Sequence, residues 1–211
     1  MTSLDESGHV MIWERYNEGG DLKLHTERKA HGQLMEDMGA RRMTKRVVFS
    51  GLRFDDIPGV GYWGRDTRVL TEKQQARGTL MFIVALRFRE DWMRDKWIEI
   101  MTELADWDRD NEPGTLTYAG GILSADLAKG DLDLKQGDFL WASEFADARA
   151  MQEHQDEPHH VAVGKKGAEA GCVMENVWTG GWRVTSHGFV HRTADMPAAD
   201  PAFDGESTAK L

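Results

Sequence analysis

Three histidines, His154, His159 and His160, crowd into one short stretch behind Glu144. Imidazole is the side chain whose charge changes nearest neutral pH, so such a cluster can take a proton from a bound phenol. A metal would instead need two or three imidazoles converging on one point. Positions 154 and 159 are splayed by about 140° on a regular helix. Pro158 interrupts that helix, but nothing in the spacing forces the rings together, and no metal is expected. Other chemistries leave no pattern. Gly59-Val60-Gly61-Tyr62-Trp63-Gly64 has the wrong spacing for a phosphate loop and no lysine. There is no dinucleotide fingerprint after a strand and no Gly-x-Ser-x-Gly elbow. Asp55-Asp56, Asp106 and Asp108-Arg109-Asp110 read as solvated turn and helix-end charges.

Hydrophobic periodicity supplies the elements that must position the histidines. Residues 79–88 read as a strand, and 91–107 as a helix with Met93, Trp97, Ile100, Met101 and Leu104 on one face. Glu112-Pro113-Gly114 is a turn, because Pro113 fixes φ and Gly114 permits a tight bend. It feeds a strand over 115–120. A polar excursion over 124–136 precedes a strand over 139–145. Asp147 is a good N-cap for the helix that follows, which breaks near Pro158. Residues 173–178 form a last strand, and 182–190 an extra strand or arm.

Upstream, residues 10–16 read as a strand, 21–38 as a helix with Leu22, Leu24, His25, Leu34, Met35 and Met38 facing inward, and 46–54 as a strand. This block echoes the later one. His25 and His31 share the spacing of His154 and His160, and both pairs follow an aromatic strand. Residues 8–56 are therefore expected to be a strand-helix-strand half-repeat, with a linker over 57–78, a main domain over 79–183 and a flexible tail over 193–211.

Composition bounds the function. A formal charge of −10 argues against nucleic acid, whose phosphates attract a basic face. No apolar run is long enough to span a membrane. The single cysteine, Cys172, excludes an internal disulfide framework and fits a reducing, intracellular setting. Eight Trp and eleven Met suit an adaptable apolar pocket. The chain ends Ala209-Lys210-Leu211, which resembles a peroxisomal address; the expected location is peroxisomal in a eukaryote and cytoplasmic otherwise.

Glu112-Pro113-Gly114, Tyr118, Glu144, Asp147, Ala150, His154, Pro158 and His159 together resemble the antibiotic-biosynthesis-monooxygenase family, with Phe145 where the family often has tyrosine. The likeness covers roughly residues 79–183. It implies an α+β, ferredoxin-like antiparallel sheet with helices on one face, paired into a dimeric α/β barrel; here an extra N-terminal unit is added. It also implies a homodimer and a cofactor-independent oxygenase acting on a small aromatic or polyketide-like molecule. Some relatives bind haem through a helix histidine and an asparagine on the first strand; residues 82–88 contain no asparagine, so no cofactor is expected. In that chemistry His154 or His159 is the base. Tyr118 or Arg87 donates to the developing oxyanion, and Phe82, Phe139, Trp141 and Trp178 form the walls near Glu144. The alternatives are a non-oxidative decarboxylase, cyclase or isomerase on the same scaffold, or a non-catalytic small-molecule-binding protein.

Overall fold

A computed structural model describes residues 2–3, 11–12, 14, 19–40, 49–50, 54–57, 63–64, 79–125, 129–130 and 132–183. Alternating strand formers give β5 (Leu80–Phe88), β6 (Thr115–Leu123), β8 (Phe139–Phe145) and β9 (Met174–Arg183). The helices between them are α3 (Asp91–Asn111), α4 (Ala148–Asp156) and α5 (Pro158–Glu169). The strand order is β9-β5-β8-β6, with every neighbouring pair antiparallel. A β-α-β-β-α-β chain wound in that order is the ferredoxin-like fold. Short strands extend it. β1 (Thr2–Ser3) pairs with β9, while β3 (Phe54–Asp56) and β4 (Trp63–Gly64) pair with β6. β2 (Phe49–Ser50) and β7 (Lys129–Gly130) form a separate ribbon.

Strand alternation sorts the sheet's residues onto two faces. Phe82, Val84 and Leu86 of β5 face the helices, with Tyr118, Phe139 and Trp141 beside them. The face of α3 that packs on them is the one its periodicity marks, including Trp97, Ile100, Met101 and Leu104. Met81, Ile83 and Ala85 point the other way. They are also buried within this one chain, against Met11, Trp182, Leu134 and Leu140.

Local chemistry sets the joints. Asp147 caps α4 by accepting from the Ala150 amide at 3.0 Å. Glu157 ends α4 and caps α5, whose first residue is Pro158. Gly114 sits against α4, where an added Cβ would lie 2.6 Å from Ala150 Cβ.

The amino-terminal elements differ from expectation. Met11, Ile12 and Glu14 lie in no strand. The helix expected over 21–38 is two, α1 (Gly19–Glu27) and α2 (Lys29–Ala40), separated at Arg28. Leu24, Leu34 and Met35, expected to face inward, are exposed, because the described residues place no sheet against that side. β4 lies in the segment expected to be linker. The arm expected from Trp182 begins as the end of β9. The tail over 193–211 and its terminal tripeptide lie outside the described residues.

Candidate active site

The joint between α4 and α5 creates the site. On an unbroken helix, positions 154 and 160 would point about 120° apart. The break at Glu157 reorients α5, and the two imidazoles meet edge to face with centroids 4.3 Å apart. His160 Nδ1 lies 2.8 Å from His154 Nε2, and the Tyr118 hydroxyl lies 3.2 Å from the same nitrogen. The other His154 nitrogen, Nδ1, is 2.8 Å from Glu112 Oε2. Thr115 Oγ1 donates to that same carboxylate oxygen at 2.6 Å. Asp108 Oδ2 stands 3.9 Å from His154 Nδ1.

This polar cluster borders a cavity of about 380 Å³ between the sheet and the helices. Phe82, Phe139, Trp141, Trp97 and Leu104 make its apolar walls, and His154, His160 and Tyr118 its polar edge. Trp141 meets Tyr118 edge to face at 4.4 Å and stacks on Phe139 at 5.8 Å. The Trp97 benzo ring abuts Gly167 so closely that a Cβ there would fall 2.6 Å from Cζ3.

Burial and neighbouring charge spread the cluster's acidities apart. Burial raises the Glu112 carboxyl, but hydrogen bonds from His154 and Thr115 outweigh it and hold the group below its ordinary value. Burial, and then the adjacent Glu112 charge, push the Asp108 carboxyl up to about 8. Burial is also the first cause that takes His160 down to about 4, with His154 adding to it and Glu112 opposing. The Tyr118 phenol is moved well above its ordinary value by burial and by Asp108. At neutral pH the cluster therefore holds a Glu112 carboxylate, a protonated Asp108, a neutral His160 and a neutral Tyr118.

Of the residues named from the sequence, His154, Tyr118, Phe82, Phe139 and Trp141 gather around this cavity. The others do not. His159 is exposed and stacks on Trp107 at 4.3 Å, because residue 159 follows Pro158 on the outer side of α5. Arg87 is on the opposite sheet face, donating to Asp133 and Asp138, which raise its pKa. Glu144 also points to that face, bonded to Thr79, and Trp178 packs there on Trp182.

Three participants lie outside that set. Asp108, expected to be a solvated charge, has no exposed surface at all. It follows Leu104 by four residues, so the apolar stripe of α3 runs straight into Asp108 and then Glu112. That extension is the signal that finds both. His160, named with the histidine cluster, is the second imidazole on the cavity wall.

Asp108, Glu112 and His154 also have metal-ligand spacing, their donor atoms lying within 4.8 Å of one another. Two carboxylates and an imidazole suit zinc, iron or manganese. Here, however, Nδ1 of His154 and Oε2 of Glu112 already face each other in a hydrogen bond. Asp108 and Glu112 stand behind the imidazole rather than on the cavity wall. No described helix is long and apolar enough to cross a membrane.

No protein-family model matches the chain. No curated protein matches it either. Solved structures do match in shape. A candidate monooxygenase from Fusobacterium nucleatum overlaps 80% of this chain at 11% identity and a TM-score of 0.57. One from Lactobacillus acidophilus overlaps 79% at 11% identity and a TM-score of 0.52. The chain spans 65% of the length of each. At 11% identity these two candidate monooxygenases share a fold with this chain, and that fold is the α+β, ferredoxin-like one that the motif resemblance implied.

Proposed function

We propose that the protein is a cofactor-independent oxygenase acting on a small aromatic, phenol-bearing molecule held in the cavity between the sheet and the helices. The observation that carries this reading is the His154–Glu112 pair, joined at 2.8 Å beside an aromatic-walled cavity. A carboxylate behind an imidazole fixes its tautomer and stabilises the cation that forms when it accepts a proton. The proton of the phenol comes to rest on this base. The resulting phenolate passes one electron to dioxygen, and the superoxide and aryloxyl radical combine at a ring carbon. The base returns its proton to the peroxide, and loss of water from the resulting hydroperoxide leaves a quinone, so one dioxygen is consumed per ring oxidised. The cofactor-free part of this reading comes from the motif resemblance. The Tyr118 hydroxyl remains the proposed donor to developing negative charge, since its raised pKa keeps it protonated.

Oxygen uptake against a panel of phenols, with products identified by mass, tests the proposal. Turnover without oxygen uptake would leave the same base in a decarboxylase, cyclase or isomerase.

A homodimer belongs to the same proposal. The second sheet face, which a partner would cover in a bare four-stranded protomer, is already buried within this chain. A second copy must therefore dock elsewhere. Sedimentation at twice 23.8 kDa is expected, and a species at 23.8 kDa at all concentrations would remove the dimer.

A further inference from the structure

We propose that His160 is the residue that meets the ligand and takes its proton, and that His154 relays that proton to rest against Glu112. The inference rests on the base chemistry proposed above and assigns its individual atoms.

The assignment follows from what each group can donate. Glu112 is a carboxylate and only accepts, so His154 Nδ1 must carry the hydrogen in their 2.8 Å contact. To act as a base, His154 then has only a lone pair at Nε2 to offer. The nearest group to that lone pair is His160 Nδ1 at 2.8 Å, closer than the Tyr118 hydroxyl at 3.2 Å. His160 Nδ1 therefore donates, and its own lone pair is left at Nε2. No described residue is hydrogen-bonded to His160 Nε2, and His160 lines the cavity. The charged or titratable groups that bear on the pair are Asp108 from α3, Glu112 at the C-cap of α3 and Tyr118 from β6.

The step balances. The ligand O–H bond breaks and a His160 Nε2–H bond forms. The His160 Nδ1–H bond breaks and a His154 Nε2–H bond forms. His160 ends as its other neutral tautomer, the ligand is a phenolate, and the positive charge sits on His154 beside the Glu112 carboxylate. Charge thus never has to rest on His160, which burial makes a poor cation. His154 and Glu112 are positioning residues, and His160 is the catalytic one.

The test uses 4-nitrophenol, whose phenolate is distinguishable from the phenol by absorbance, below the probe's own pKa. The wild-type protein is expected to hold the probe as phenolate. His160→Ala should bind it with similar affinity but with about tenfold less phenolate, a loss of one pKa unit. Added imidazole, filling the vacated space, should restore the colour. His160→Gln keeps the side-chain volume and should behave as His160→Ala does, should the alanine variant fail to fold. Ionisation in both His160 variants equal to wild type, with loss only in His154→Ala, would show that His154 reaches the ligand itself and would overturn the relay. So would a wild-type protein that carries no phenolate. A protein that ionises the probe yet consumes no oxygen with any phenol removes the oxygenase reading and leaves the relay standing.

Discussion

Replacing Asp108 by asparagine isolates the most strongly raised carboxyl among the described residues. The side chain has no exposed surface, and its pKa is raised from an ordinary 3.8 to about 8. A raised folded-state pKa means that the folded protein holds a proton the unfolded chain has lost. The resulting stability is complete below the ordinary value and is lost as pH climbs toward 8. Each pH unit inside that window costs about 1.4 kcal/mol. His160 works in the opposite sense, because its depressed value destabilises the fold between its ordinary 6.5 and about 4. The informative interval therefore runs from 6.5 to 8, where Asp108 dominates the cluster. Across it the wild type should lose about 2 kcal/mol that Asp108→Asn retains. With a urea m-value of about 2 kcal/mol/M, the variant's unfolding midpoint should gain about 1 M on the wild type between those two pH values. Any constant cost of the amide cancels in this difference. Urea titrations at the two pH values provide the measurement, and an unchanged gap between the proteins would refute a protonated, buried Asp108.

Other expectations follow from the same geometry. Glu112→Gln should cut turnover at neutral pH by about 10²-fold while probe affinity holds, as steady-state kinetics and a binding titration would show; equal turnover would mean the pair is only structural. Gly114→Ala pushes a methyl to 2.6 Å from Ala150 and should cost about 1–3 kcal/mol in thermal or chemical unfolding, so an unshifted melting curve would contradict this packing. Arg87→Met should leave turnover intact but destabilise the fold by about 3 kcal/mol, because it strips the buried Asp138 carboxylate of its cationic partner on the opposite sheet face and leaves it only the Lys135 amide. A collapse of turnover in a folded Arg87→Met protein would return Arg87 to the site.

The main sheet and its helices were legible because strong periodicity and strong caps agree. β8 has the expected bounds, α3 buries the expected stripe, and Asp147 and Pro158 begin their helices where the residue types allow. The site was legible only in half, because a residue list does not say which face of a strand looks at the helices. Phe139 and Trp141 of β8 share the cavity, while Glu144, out of step with them by an odd number, faces away. Asp108 was missed because a charge near a helix end is usually solvated; here the stripe it continues is buried. The half-repeat is still a proposal, and one correspondence supports it. α1 and α2 have 9 and 12 residues, as α4 and α5 do, and His25 and His31 meet edge to face at 5.0 Å across their own helix break.

The proposed function turns on a base beside the cavity that delivers an electron-rich phenolate to dioxygen. The most direct measurement is oxygen consumption by the metal-chelated, flavin-free protein on its best phenol, beside His154→Ala. One dioxygen per ring oxidised is expected for the wild type, with a rate at least about 10²-fold lower in the variant at unchanged fold. Product formation without oxygen uptake, or a His154→Ala protein that consumes oxygen at the wild-type rate, would contradict it.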